Sequence, residues 1–253
     1  MTRDELDVLN SRLLAYLRSA AEKSPRMQRV GRFVATFDAD PLIYLNYAVP
    51  DAGIDPSPDD IAALVEMFEK QGRKPRLEYI PGAAPALEAR LLAAGFAVEQ
   101  RLPVMLRTAT MSVADPSPEG LETFLPADDA DLIATDRAQA EAFGSAPRGL
   151  DGLERTLSSG GIVAAVRDTA SGAIVAGGVA TPPIEGISEI AGIGTIAAFR
   201  QRGAASAITA LLAREALARG TSLLWLTPGS KDAERIYARA GFEAVTAALH
   251  ISK

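Results

Sequence analysis

A chain of 253 residues, 48% hydrophobic and 23% charged, has globular composition and room for one large domain or two ordinary ones. Its 26 basic and 32 acidic side chains leave a net charge of −6, so no overall field draws in nucleic acid or an anionic membrane. Cysteine is absent and His250 is the single histidine. That excludes disulfides, thiol nucleophiles and thiolate or His-rich metal sites, so no metal is expected, and it weighs against a Ser-His-Asp hydrolase.

Residues 1–23 carry charges throughout and lack the apolar run of a signal peptide. No window approaches the roughly 18–20 apolar residues that span a bilayer. A soluble, cytoplasmic protein without a nucleic-acid or membrane partner is expected.

Thr2 and Glu5 form a capping box before Leu6, Leu9, Leu13 and Leu17, which predicts the first helix. Alternating stretches over 30–37 and 42–49 read as strands. Ser57-Pro58 opens a second helix with Ile61, Leu64, Val65 and Phe68 on one face, and Gly72 stops it. A short strand over 77–80, a helix over 86–94 closed by Gly95, and an extended segment over 97–106 come next. Residues 108–120 are polar and Pro-rich without periodicity, the composition of a linker.

Beyond it the pattern reads as a strand, helices over 131–143 and 150–158, and strands over 162–167, 174–180 and 187–196. A long helix over 203–218, a strand over 223–226, a helix over 231–240 ending at Gly241, and a final extended segment complete the chain. Residues 1–107 hold 14 basic and 15 acidic side chains against 12 and 17 in 108–253, so the negative charge sits mostly in the second half.

An internal repeat relates the halves. Residues 87–96 match 233–242 in pattern, each closing on Gly-Phe, and the same offset of 146 residues lays 77–80 on 223–226. Two copies of one αβ unit are expected.

The segment most suggestive of chemistry is Arg200-Gln201-Arg202-Gly203-Ala204-Ala205-Ser206, between a strand and a helix. Gly203 permits a tight turn and close ligand approach, and the free N–H groups of the first helical turn make an anion site. In isolation the favoured reading is an ordinary helix start with solvated arginines, because Arg-x-x-Gly-x-Ala is too short to be specific.

In context, residues 121–253 resemble a GCN5-related N-acetyltransferase (GNAT) domain. The family's Q/R-x-x-G-x-G/A loop matches Arg200 to Ala205 after the expected strand, and Tyr237 with Gly241-Phe242 resembles its downstream signature. The resemblance implies an α/β fold of two tandem GNAT-like domains, each a mostly antiparallel, mixed sheet flanked by helices. The domains would be 1–107, degenerate, and 121–253, catalytic, joined by the linker 108–120. At the shared offset Leu91 stands where Tyr237 stands, and the acidic segment 51–60 replaces the Arg-x-x-Gly-x-Ala loop.

The resemblance further implies acetyl-CoA as acyl donor. Its pantetheine arm would run along the backbone of Ile193, Gly194, Thr195 and Ile196. Its pyrophosphate would lie on the N–H groups of Arg202, Gly203, Ala204, Ala205 and Ser206, with Arg200 and Gln201 in the same loop. Tyr237 would be the general acid that reprotonates the departing thiolate; the bland alternative is a core tyrosine. Glu189, eleven residues before Arg200, would be the general base, or an ordinary carboxylate at a strand end. Alternation places it on the face of Ile187, Ala191 and Ile193. Ser230 stands where the family often has a cofactor-contacting Asn. Trp225 and His250 read as structural.

The acceptor would be a small-molecule or peptide amine, and the resemblance leaves room for a homodimer. A cysteinyl-enzyme intermediate is excluded, so transfer would be direct. The alternative is a non-catalytic acyl-CoA-binding or regulatory module; O- or thiol-acylation on the same fold stays open.

Overall fold

The computed structural model describes residues 1–39, 45–108 and 116–253. The chain forms two compact units, Met1–Val104 with Val245–Lys253, and Met105–Ala244. Both are mixed α/β, with helices packed on open sheets.

In the first unit α1 (Arg3–Glu22) starts from the expected capping box. Thr2 Oγ1 accepts the Glu5 N–H at 3.3 Å and the Glu5 carboxylate accepts the Thr2 N–H at 2.6 Å. The stretch 30–37, expected as one strand, is broken: Gly31 takes φ +52, and β1 (Gln28–Val30) folds back on β2 (Phe33–Thr36) as a hairpin. Residues 42–44 of the next expected strand lie outside the described residues; β3 is Tyr47–Pro50. It is antiparallel to β2 and parallel to β4 (Arg76–Tyr79), which it reaches through α2 (Pro58–Lys70). Then α3 (Leu87–Ala93) leads to β5 (Ala97–Thr108). Leu13, Phe33, Leu64, Phe68, Leu77 and Leu87 are fully buried between the helices and this sheet.

The second unit holds β6 (Leu121–Phe124), α4 (Asp129–Phe143), α5 (Leu150–Ser158), β7 (Ile162–Asp168), β8 (Ile174–Ala180) and β9 (Ile187–Thr195). It continues with α6 (Ala204–Ala218), β10 (Leu223–Leu226) and α7 (Lys231–Arg239). Strands β6 to β9 form an antiparallel meander, and β10 adds parallel to β9 after the α6 crossover. Glycines set the helices close: a Cβ on Gly178 would lie 2.8 Å from Ile208 Cγ2 of α6, and one on Gly177 would lie 2.6 Å from Thr135 Cγ2 of α4. Helices α6 and α4 therefore cover opposite faces of the sheet.

The repeat is realised, but its last strands change places. β11 (Glu243–Ser252) lies at the repeat offset from β5. Its residues Leu249–Ser252 pair antiparallel with β4 in the first unit, whereas Met105–Thr108 of β5 pair antiparallel with β10 in the second. The expected domain ending at Lys253 thus contributes its last strand to the first compact unit, because β4 and β10 each offer a parallel-sheet edge that either strand's alternation can complete. Each exchanged strand ends in a cation at a helix C-terminus: Arg107 Nη1 donates to the Ala240 carbonyl at 3.0 Å, and Lys253 Cε lies 4.0 Å from a Cβ built on Gly95. Among the described residues no helix is long and apolar enough to cross a membrane.

Candidate active site

The site grows from the way β9 and β10 part. Their parallel pairing covers only Ile187, Ser188 and Glu189, opposite Leu223, Leu224 and Trp225. β10 stops at Leu226 while β9 continues to Thr195. Among the described residues the rest of β9 has no strand on that side; apart from the Gly192 and Thr195 carbonyls, which accept from the Gln139 and Arg200 side chains, its edge suits an extended ligand.

A β-bulge shapes the same stretch. The β8–β9 register shifts by one residue between Val179↔Ala191 and Gly177↔Gly194, with Gly192 at φ +62. The bulge reverses the facing of the strand residues beyond it. Ile190 and Ile193 both pack on the α6-side core, so Glu189 and Ile193 occupy opposite faces, against the expectation from unbroken alternation. Two glycines within a strand, Gly192 and Gly194, are the signal that announces such a bulge.

After β9 the chain makes a short 3₁₀ turn at Ala197–Phe199 and reaches α6 through a constrained loop. Gln201 holds φ +64, rare for a residue with a side chain, and Gly203 holds φ +90. A Cβ at Gly203 would lie 3.3 Å from Pro118 Cβ, so glycine is required on both counts. As the N-cap of α6 it supplies no side-chain acceptor, and the first turn carries no acidic residue. The amides of Ala204, Ala205 and Ser206 form the first turn of α6, without intrahelical acceptors and at the positive end of a helix dipole, which suits an anion.

The two arginines serve differently. Arg202 is exposed, with its guanidinium 4.8 Å from the Phe199 ring centroid. Arg200 folds back: Nε donates to the Thr195 carbonyl at 3.2 Å and Nη2 to the Ala142 carbonyl at 3.3 Å. It ties the loop to β9 and α4.

Tyr237 sits on α7, partly buried against the same core that receives Ile193, Ile196 and Phe199. Its ring meets Phe242 edge-on, 6.4 Å between centroids. The Gly-Phe ending explains that placement: Gly241 turns at φ +81, Phe242 is 2% exposed, and its N–H donates to the Tyr237 carbonyl at 3.0 Å. Burial pushes the phenol above its ordinary value, so it stays protonated at neutral pH.

The structure brings Ile193, Ile196 and Tyr237 to one face and sets Glu189 toward the other, half-buried beside Trp225. The backbone of Glu189 is held by Thr181, whose hydroxyl accepts the Glu189 N–H at 2.9 Å. Ser230 is the N-cap of α7, its Oγ accepting the Ala233 N–H at 3.2 Å. Trp225 is core, 2% exposed. His250 lies in the first unit on β11, where Arg76 Nη2 meets its Nδ1 at 3.1 Å.

The corresponding crossover of the first unit is built otherwise. Helix α2 is closed by Ser57 and Asp60: Ser57 Oγ accepts the Asp60 N–H at 3.2 Å and Asp60 accepts the Ser57 N–H at 2.9 Å. Asp59 and Asp60 add negative charge to that first turn.

Residues 132–242 match the model of the acetyltransferase (GNAT) family. No curated protein matches the chain in sequence. Among solved structures it is similar to a GCN5-related N-acetyltransferase from Kribbella flavida, at 24% identity and TM-score 0.80 over 96% of this chain and 95% of that one. A GCN5-related N-acetyltransferase from Sphaerobacter thermophilus is similar at 19% identity and TM-score 0.65, over 88% of this chain and 76% of that one. A tandem GNAT protein from the clavulanic acid biosynthesis pathway is similar at 11% identity and TM-score 0.59, over 100% and 95%. At these identities the likeness is one of fold.

Proposed function

Because residues 132–242 match the model of the acetyltransferase (GNAT) family, we propose that this chain transfers an acetyl group from acetyl-CoA directly to a primary amine of a small molecule or peptide. The observation that carries the reading is the side-chain-free, acid-free N-terminus of α6 directly after the parted strand β9. The two features are what a diphosphate joined to an extended amide chain needs. The bound donor supplies an acetyl thioester.

In this reading the backbone edge of Ile193 to Ile196 aligns the donor arm, and the amides of Arg202 to Ser206 hold the diphosphate with Gln201 turning the loop beneath it. Arg200 acts as a positioning residue, through its bonds to Thr195 and Ala142. Tyr237 donates its proton to sulfur as the C–S bond breaks and the C–N bond forms, because a phenol kept neutral by burial can protonate a developing thiolate. The attacking amine gives up its proton to Glu189 or to solvent. Ser230 contributes by holding α7, and with it Tyr237. The first unit works without a donor: Ser57 and Asp60 already occupy the amides that a diphosphate would need.

Incubation with acetyl-CoA and a panel of amines, monitored by free thiol, tests the reading. The chain has no cysteine, so the assay has no internal background. Amine-dependent thiol release is expected. Bound acetyl-CoA without release for any amine, unchanged by Tyr237→Phe, would instead identify an acyl-CoA-binding module.

A further inference from the structure

The last turn of α4 is fastened to the bulged, open stretch of β9. Gln139 Nε2 donates to the Gly192 carbonyl at 2.6 Å, and Arg200 links the carbonyls of Ala142 and Thr195. Backbone contact completes the join: a Cβ on Gly194 would lie 2.9 Å from Ala142 Cβ and 3.1 Å from Phe143 Cε2. The helix thereby lays the Phe143 ring against the strand at Gly194. Yet Phe143 is 59% exposed, the one aromatic among the large apolar side chains exposed in the described residues and the one of them in the second unit. Packed on one edge and wet on the other, such a ring gains free energy when an apolar group covers it.

The faces of the sheet say what would cover it. Gly178, Ile190 and Ile193 face α6, on the side where Tyr237 packs. Gly177 and Gly194 face α4, the side to which alternation before the bulge also directs Glu189. Groups suited to the donor and the leaving thiolate therefore lie on the α6 face. Phe143 and the candidate base lie on the α4 face, which leaves that face for a second substrate.

Resting on the donor placement proposed above, we infer that Phe143 is a specificity-determining residue for the acceptor, and that the acceptor is a primary amine carried on an apolar, preferably aromatic, group. Its ring covers Phe143 while its nitrogen meets the acyl carbon.

The test compares benzylamine, butylamine, ethanolamine and spermidine as acceptors, with acetyl-CoA binding measured alongside. Wild type is expected to favour benzylamine over ethanolamine by about tenfold or more in kcat/KM, the scale of a few methylenes in an apolar pocket. Phe143→Ala should erase that preference through KM with the Kd for acetyl-CoA unchanged, and Phe143→Leu should restore most of it. Equal or better use of ethanolamine or spermidine by wild type, or a preference that survives Phe143→Ala, overturns the inference. So does thiol release from neither benzylamine nor butylamine while acetyl-CoA still binds. Failure of acetyl-CoA to bind at all removes the donor reading as well.

Discussion

Tyr237 and His250 show what burial does to a titrating group. For Tyr237 burial disfavours the phenolate and moves its titration above the ordinary 10. If it is the proton donor, Tyr237→Phe should lower kcat by about 10²-fold and leave the Kd for acetyl-CoA unchanged. The variant should also lose the alkaline limb of the kcat–pH profile, which in wild type falls only above that ordinary value. His250 moves the other way, chiefly through burial, with Glu78 and Glu99 pulling it up and Arg76 pushing it down. Because Arg76 donates to Nδ1 at 3.1 Å, the ring is neutral with its proton on Nε2. A lowered folded value means that protonation favours the unfolded chain. Stability from this group is present above the ordinary 6.5 and drains as pH falls through it toward the folded value. His250→Gln should flatten that loss, measured by urea unfolding at stepped pH.

Among the elements, helix starts carry most of the functional contrast. Thr2 with Glu5 is a capping box legible in the sequence, and it forms; Ser57, read there only as a helix start before Pro58, forms a second box with Asp60. The α6 start is legible through Gly203 and the residues around it, since a helix without an N-cap acceptor leaves amides for something else. Ser230 is legible as a loop residue before α7, but its capping role becomes visible only with the Ala233 N–H in view. Helix α7 has no fully buried residue, so it depends on that cap. Ser230→Ala should cost about 1 kcal/mol and raise amide exchange along 231–239 before the rest of the second unit. The bulge at Gly192 escapes the alternation because a one-residue insertion leaves local composition unchanged while reversing every facing after it. Glu189 and Ile193, expected together, consequently stand apart. The hairpin at Gly31 is hidden for a related reason: a tight turn inside an apolar run reads as one long strand.

For the whole molecule, the repeat tells how many units to expect and not which strand completes which. β5 and β11 share offset, alternation and a terminal cation, so nothing local distinguishes a strand kept from a strand exchanged. Removing Val245–Lys253 takes a paired strand from β4 in the first unit, although these residues end the chain. Hydrogen exchange on the truncated chain should show lost protection over Arg76–Tyr79, with β7 to β9 of the second unit retaining theirs. The same scale bears on how many donors a chain can hold. The first unit's crossover helix is closed by its own side chains and the second unit's is open, so the most direct measurement is calorimetric titration of the full chain with acetyl-CoA. One site per chain is predicted, abolished by Gly203→Glu, which should still unfold in a cooperative transition, at a lowered temperature because a side chain at φ +90 is strained. Two sites, none, or binding undiminished in Gly203→Glu would contradict the account.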